Sequence, residues 1–142
     1  MVKIIDATDL IVGRLASYAA KLALMGEMII IVNSEKAVVS GQRKLVEKQY
    51  LERLERGDTF KGPFFPRRAD MILRRAVRGM LPWNIERGRK AYKRVMCHLG
   101  VPNQYAEQKL ETVETASVDK LGTGNYITLA QVSQRLGVKQ EK

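Results

Sequence analysis

The sequence predicts an α/β fold built around a mostly parallel sheet. Two short stretches near the start of the chain, Lys3–Asp6 and Met28–Val32, have the composition of strands, and the residues between them show helical periodicity. A strand, a helix and a second strand within about 30 residues form a βαβ unit, whose two strands run parallel. Met28–Val32 is apolar at every position, which is typical of a strand covered on both faces.

The helix of this unit is predicted from about Gly13 to Met25. Arg14, Ser17 and Lys21 lie on one narrow polar stripe, and the remaining positions form a wide apolar side rich in alanine. Small side chains let a helix approach a sheet closely. Gly26 stands where a helix C-cap is expected.

Four further elements are predicted in the middle of the chain. Ala37–Val39 is a candidate short strand, and a long helix follows from about Gln42 to Arg56. Residues 57–69 form a loop that contains Gly62-Pro63 and Pro66. Asp70 is a plausible N-cap for a helix that reaches about Leu81 and ends before Pro82.

The last third of the chain is less regular. A basic helical stretch, Glu86–Arg94, leads into a buried strand at Val95–Leu99. Thr112–Val118 is a candidate edge strand. Thr128 and Gln131 have the spacing of a capping box, which predicts a final helix that ends near Leu136.

Length and composition limit the classes of protein to consider. The chain has 142 residues, which is typical of a single domain of ~100–200 residues. It contains one Cys and one His, so it can form no internal disulfide and no zinc cage of about four Cys and His ligands. Its apolar runs are far shorter than the ~18–20 residues that cross a bilayer. The N-terminus lacks a signal-peptide core, and we expect a cytoplasmic protein.

The positive charge is concentrated in one segment. The formal net charge is +10, and between Gly41 and Arg94 basic residues outnumber acidic residues 16 to 6. Outside that segment the two signs are equal, at 9 each. A single-sign field repels itself and usually persists because an acidic polymer neutralises it. The segment therefore indicates a polyanionic partner, and the alternative is an ordinary solubilising face.

The predicted helix after Asp70 carries the strongest signal. Arg74, Arg75 and Arg78 cluster on one side, away from the apolar positions, and Arg67 and Arg68 lie just upstream. Arginine matches phosphate oxygens in a bidentate manner and cannot lose its charge. These five side chains predict a cradle for several phosphates, whereas the alternative is a plain exposed helix face.

A second group of basic and aromatic residues surrounds that helix. Further candidate phosphate contacts are Arg43, Lys44, Lys61, Arg87, Arg89, Lys90, Lys93 and Arg94. The single Trp and all three Phe also lie in the basic segment, namely Phe60, Phe64, Phe65 and Trp83. Aromatic rings can stack on unpaired RNA bases. They can equally anchor a loop on the core of the protein itself, and the sequence leaves both interpretations open.

The sequence offers no credible catalytic set. His98 lies within an apolar stretch and is interpreted as a hydrogen-bonded core residue rather than a base or ligand. A nucleic-acid-processing enzyme would need an acidic metal cluster near the basic face, and Asp70 and Glu86 are too few for one. A peripheral membrane protein would need an amphipathic helix with bulky apolar residues opposite its cations, but Ile72 and its neighbours are better explained as core.

Several motifs in order resemble one protein family. They are Gly13-Arg14-Leu15-Ala16-Ser17, Ile31-Val32-Asn33-Ser34-Glu35-Lys36-Ala37, Ser40-Gly41, Gly62-Pro63, Arg67-Arg68-Ala69-Asp70 and Val77-Arg78-Gly79-Met80-Leu81-Pro82. Together they are similar to large-subunit ribosomal protein thirteen in its archaeal form, from the first strand to about Pro102. The Gly-Pro-Phe loop, Gly88-Arg89-Lys90 and the helical tail after Thr128 favour the archaeal type.

The resemblance implies a three-layer α/β/α domain around a four-stranded parallel sheet. It divides the chain into a core over 1–102 and a C-terminal extension over 103–142. It implies a structural component of the large (50S) ribosomal subunit that contacts 23S rRNA and neighbouring ribosomal proteins and acts early in assembly. It implies no enzyme activity, cofactor, metal, membrane or small-molecule substrate, although a non-ribosomal RNA-binding regulator remains an alternative. By motif match, the expected rRNA-facing residues are Arg67, Arg68, Arg78, Gly79, Met80 and Pro82.

Overall fold

A computed structural model describes residues 1–139, and within that range it contains five strands and five α-helices. The strands are β1 (Val2–Asp6), β2 (Met28–Val32), β3 (Val38–Ser40), β4 (Val95–Cys97) and β5 (Tyr126–Thr128). The helices are α1 (Val12–Leu24), α2 (Arg43–Glu55), α3 (Ala69–Gly79), α4 (Glu86–Lys93) and α5 (Leu129–Arg135). The α/β class that the sequence predicts is confirmed.

The strands form two sheets. β1, β2 and β4 lie side by side in parallel, with Ile5 opposite Ile31 and Ile31 opposite Cys97. β3 and β5 form a separate antiparallel pair in which Val39 faces Ile127. The parallel sheet therefore has three strands rather than the expected four, because β3 leaves β2 through a tight turn and pairs with the C-terminal strand instead.

One face of the parallel sheet carries the main hydrophobic core. Ile5, Ile29 and Ile31 are buried on this face together with the apolar side of α1. The alanines of α1 are almost fully buried, so the helix lies close to the strands. Helices α3 and α4 pack against α1 and also contact β4. The two basic helices are thus supported by the core rather than projecting from it.

The opposite face of the sheet is covered by irregular chain. Ile4, Ile30 and Val32 form a smaller buried cluster there, and Tyr105 and Leu110 pack against it. This arrangement explains why β2 is apolar at successive positions. Its alternate side chains are buried on both faces, one under helices and the other under the segment after β4.

The segment after residue 102 contributes to the main core. Ile127, Leu129, Val132 and Leu136 are all buried in the same cluster as the N-terminal strands. The α5 helix begins with a complete capping box, in which Thr128 Oγ1 accepts from the Gln131 N–H at 3.3 Å. The predicted capping box is confirmed, and it determines where α5 begins.

Two local predictions are wrong. Asp70 is not an N-cap, because α3 begins at Ala69 after Arg68, and the Asp70 carboxylate accepts from the Met71 N–H at 2.9 Å within the first turn. Thr112–Val118 is not a strand. It contains a 3-10 turn at Glu114–Ala116, and its only pairing with strand-like backbone is a single bridge from Ser117 to Leu10. Val113 and Ala116 are both buried, but they are three residues apart and lie at the two ends of this 3-10 turn, so their burial does not depend on a ladder.

Within residues 1–139, no helix combines the length and the apolar character that crossing a membrane would require.

Candidate nucleic-acid interface

Helix α3 separates an apolar side from a basic side. Ile72, Leu73 and Val77 are buried against the core, and Arg75 on the opposite side is exposed. The spacing of these buried residues follows the helical repeat, so burial of the apolar stripe fixes the rotation of the helix. That rotation exposes Arg75 and, at the C-terminal end, Gly79 and Met80 to solvent.

Arg74 and Arg78 stack on aromatic rings instead of projecting freely. The Arg74 guanidinium lies 4.5 Å from the centre of the Tyr92 ring, and its Nε donates to the Val95 carbonyl at 3.1 Å. The Arg78 guanidinium lies 4.1 Å from the centre of the Trp83 ring. The two rings meet edge to face at 5.3 Å. The predicted three-arginine cradle is therefore divided, because Arg74 is half-buried and Arg75 points outward.

These contacts join α3 to α4 through charged groups. Each cation–π contact contributes about 0.5–2 kcal/mol, depending on how far it is removed from water. Stacking occupies one face of a guanidinium and leaves its edge N–H groups directed around the ring plane. Arg78 is only half-buried, so its edge can still donate to a phosphate while the Trp83 ring restricts its orientation.

Two further arginines attach α4 to its neighbours. Arg89 Nε donates to the Trp83 carbonyl at 3.0 Å, and Arg94 Nη1 donates to the Ala23 carbonyl at 3.1 Å. Ala23 lies in the last turn of α1, where the helix dipole favours a cation, and its carbonyl also accepts from the Gly26 N–H at 3.2 Å. Arg94 thus links the C-terminal end of α4 to the C-terminal end of α1.

A hollow of about 430 Å³ lies between the end of α1 and α4. Its charged lining consists of Arg87, Lys90 and Arg94 together with Glu86, and Leu24, Met25 and Gly26 complete it. Lys90 forms an ion pair with Glu86 at 2.9 Å across an exposed turn of α4. Such an exposed pair contributes little to stability, so a stronger anionic partner can displace the glutamate.

Few of the candidate cations are neutralised by carboxylates. Arg68 pairs with Asp70 at 3.0 Å, and Arg43 pairs with Glu47 at 3.1 Å. Among residues 1–139, the candidates that form no ion pair are Lys44, Lys61, Arg67, Arg74, Arg75, Arg78, Arg87, Arg89, Lys93 and Arg94. Most of the positive charge is therefore available to a partner.

The candidate residues lie in three parts of the molecule. The α3–α4 basic surface comprises the candidates on α3, on α4 and in the turn between them, namely Arg74, Arg75, Arg78, Gly79, Met80, Pro82, Arg87, Arg89, Lys90, Lys93 and Arg94. Arg43 and Lys44 lie on α2, which packs on α5 and β5. Lys61, Arg67 and Arg68 lie in the loop before α3. The structure thus unites the α3 and α4 groups and leaves α2 apart.

Sequence reasoning missed the aromatic partners of the arginines. The sequence indicates that Trp83 stacks on RNA bases or anchors a loop on the core, but it pairs neither Trp83 nor Tyr92 with a particular arginine. Arg53 was also missed as a member of a stacked group, and its guanidinium lies 5.3 Å from the Tyr50 ring centre and 5.8 Å from that of Phe65. The three-residue spacing of Tyr50 and Arg53 on a helix would have indicated their contact.

The titratable groups near α3 and α4 lie in structural contacts. Asp70 and Glu86, the carboxylates on these two helices, pair with Arg68 and Lys90. Burial raises the pKa of the Cys97 thiol to about 12, so the thiol is protonated and unreactive at neutral pH. The ring of His98 lies 5.9 Å from that of Tyr105 and is half-buried. Within residues 1–139, no group of three or more His, Cys, Asp or Glu side chains is placed to hold a metal ion.

Comparison with known proteins agrees with this arrangement. A family model described as Ribosomal protein L13 matches residues 1–104. A large ribosomal subunit protein uL13 from Methanosarcina barkeri is 48% identical over 137 residues, which cover 96% of this chain and 98% of the relative. The corresponding protein of Archaeoglobus fulgidus is 46% identical over 137 residues, covering 96% and 88%.

A third relative, the uL13 protein of Methanopyrus kandleri, is 45% identical over 136 residues, covering 94% of this chain and 86% of the relative. These proteins are named as components of a ribosomal subunit and not as enzymes. The matches extend well past Pro102 into the C-terminal segment. The chain therefore belongs to the ribosomal protein L13 family.

Proposed function

We propose that this protein is a structural component of the large ribosomal subunit that binds 23S rRNA through the α3–α4 basic surface. The observation that carries this proposal is the set of unpaired cations on two helices held together by stacked arginines. Phosphate contacts of this kind position a protein on RNA without reading its sequence. By neutralising crowded phosphates, the protein would hold adjacent rRNA segments together early in assembly, beside neighbouring ribosomal proteins and in the cytoplasm.

The orientation of the arginines supports this function. A flexible cation loses conformational entropy when it binds a phosphate, whereas a stacked guanidinium has already lost part of it. Arg78 is restricted by Trp83, and Arg89 is tied to the carbonyl of that same tryptophan. Arg75, Arg87 and Lys93 are exposed and unrestrained by any ion pair within residues 1–139. The surface therefore combines fixed donors with mobile ones.

The salt dependence of binding tests the proposal. We expect the triple variant Arg75→Ala, Arg87→Ala, Lys93→Ala to bind a full-length 23S rRNA transcript more weakly. The slope of log K against log salt should fall by about 2, since each lost phosphate contact removes roughly 0.7–0.9. The three side chains are exposed, so thermal unfolding should be nearly unchanged.

A matched control removes the same charge elsewhere. Lys109, Lys120 and Arg135 are exposed cations outside the basic segment. The variant Lys109→Ala, Lys120→Ala, Arg135→Ala should retain a slope close to that of the natural protein. Equal slopes for the two triple variants would show that net charge alone drives binding and would refute a localised surface.

A further inference from the structure

A narrow hairpin projects from the loop between α2 and α3. Asp58 and Gly62 face each other across its neck, and each N–H donates to the carbonyl of the other at 3.0 Å. Within the turn, the Phe60 N–H donates to Asp58 Oδ1 at 3.3 Å. Three hydrogen bonds over five residues hold the tip, Thr59-Phe60-Lys61, in one conformation.

Two glycines make this neck possible. Gly57 has φ +94°, and a Cβ at that position would overlap the Pro63 ring and the Gly62 carbonyl. Gly62 has φ +83°, and a Cβ there would lie 3.1 Å from the edge of the Phe64 ring. The backbone is therefore closed tightly enough that the Phe64 ring rests against Gly62. The backbone of the hairpin is therefore held in a defined conformation.

The hairpin presents two aromatic rings to solvent. Phe60 is 89% exposed and Phe64 is 76% exposed. The neighbouring Phe65 behaves differently, because its ring packs edge to face on Tyr50 at 6.0 Å and lies beneath Arg53. Of the three phenylalanines, one anchors the loop and two project away from the core. Packing on the rest of the protein therefore explains the position of the Phe65 ring, but not those of the Phe60 and Phe64 rings.

The surroundings of the two rings carry a net positive charge. Lys61 lies between the rings in sequence, and a hollow of about 410 Å³ beside Phe64 is lined by Arg56 and Arg67 together with Glu55 and Asp58. Asp58 Oδ1 accepts from the Phe60 N–H within the turn. Exposed aromatic faces beside cations are complementary to unpaired nucleotides, in which a base has a π-face and each phosphate a negative charge. A protein pocket would accept the rings but would not require the cations.

We propose that Phe60 and Phe64 stack on unpaired bases of the rRNA, with Lys61, Arg56 and Arg67 binding the adjoining phosphates. This inference rests on the proposed function and adds a second contact that engages bases rather than backbone alone. It predicts that the hairpin binds a single-stranded loop or bulge, because a duplex keeps its bases stacked on each other. The α3–α4 basic surface does not require unpaired bases, because it contacts phosphates.

Substitution of Phe60 tests the proposal on a 23S rRNA transcript with no other protein present. We expect Phe60→Ala to weaken binding roughly tenfold, the range for loss of one base–aromatic stack being about 5- to 150-fold. Phe60→Trp should retain binding within about threefold, and Phe60→Leu should lose as much as Phe60→Ala because a leucine has no ring face. Thermal unfolding should be the same for all three, since the side chain is exposed.

Salt separates stacking from charge. Phe60→Ala should leave the slope of log K against log salt unchanged, whereas Lys61→Ala should lower it by about 0.7. If Phe60→Ala and Phe60→Leu bind like the natural protein while the Arg75, Arg87, Lys93 triple variant is impaired, stacking is refuted and the proposed function stands. If the natural protein itself shows no salt-dependent binding, both fail. An effect of Phe60→Ala that arises only after other large-subunit proteins are added would identify a protein pocket and overturn the proposal.

Discussion

Short hydrogen bonds fix one carboxylate at the end of β1. Asp6, the last residue of β1, accepts from Thr8 Oγ1 at 2.6 Å, from the Thr8 N–H at 2.9 Å and from Asn33 Nδ2 at 3.0 Å. Burial alone would raise the pKa of Asp6, but these hydrogen bonds outweigh it, and the pKa lies below the ordinary value of 3.8. The ionised form is therefore the one that stabilises the fold.

This residue predicts a specific acid sensitivity. Because the pKa is lower in the folded than in the unfolded protein, the stabilisation is present above about pH 4 and is lost as the pH falls through the folded value. Asp6→Asn should lower the free energy of unfolding by about 1–3 kcal/mol at pH 7 and flatten its pH dependence below pH 4. Urea unfolding between pH 7 and pH 2 checks this, and equal slopes below pH 4 would contradict it.

The sequence predicts which residues contribute charge to the candidate site, but not the direction in which each side chain points. The cluster of arginines around α3 is visible in the sequence because charge counts need no coordinates. The direction of each side chain is not, since Arg74 and Arg75 are neighbours in sequence but one donates to Val95 and the other faces solvent. That difference depends on where α3 meets β4 and α4, which is a long-range property.

At the level of elements, α4 depends on a close approach to the turn before it. Gly88 lies in the middle of α4 and is buried, and a Cβ at this position would overlap the Pro82 carbonyl. The same approach brings Arg89 to the Trp83 carbonyl and Arg78 to the Trp83 ring. The absence of a side chain at Gly88 therefore allows α4 to pack closely on the turn that follows α3.

Two glycine substitutions test this dependence. Gly88→Ala should lower the free energy of unfolding by about 1–3 kcal/mol, because overpacking outweighs the gain in helix propensity. Gly79→Ala, in α3, meets nothing within 4 Å, and it should be neutral or stabilise the protein by up to about 1 kcal/mol. Chemical denaturation of both variants is the measurement. A stabilised Gly88→Ala variant would show that the turn is free to move.

Elements with strong local patterns were predictable. The periodicity of α1, the apolar run of β2 and the capping box of α5 each identify an element without reference to the rest of the chain. β5 was missed because it has only three residues, and its pairing with β3 spans most of the sequence. The false strand at 112–118 has a different cause, because its two buried residues, Val113 and Ala116, belong to a 3-10 turn rather than to a ladder.

For the whole molecule, the C-terminal segment belongs to the energetics of the core. Ile127, Leu129 and Val132 are fully or almost fully buried beside residues from the first half of the chain. Burial of each such side chain contributes about 1.5–3 kcal/mol, whereas a domain is stable by only ~5–15 kcal/mol overall. We therefore propose that residues 1–102 do not form a stable domain without the segment that follows.

Truncation and point substitution test this proposal. A chain that ends at Pro102 should lack a cooperative thermal transition, and Leu129→Ala should lower the free energy of unfolding by about 2–5 kcal/mol. Gln134→Ala serves as the control in the same helix, because Gln134 is exposed and its loss should change stability by less than about 0.5 kcal/mol. A truncated chain that melts like the natural protein would refute the proposal.

The pairing of β3 with β5 has a consequence for biosynthesis. Ser40 lies opposite Tyr126 in this ladder, so a strand translated early waits for a partner translated much later. Closing so long a loop is slow and has an entropic cost. A nascent chain of this protein cannot complete its second sheet until Thr128 has been synthesised and has emerged from the exit tunnel, so we expect β3 to stay unpaired through most of translation.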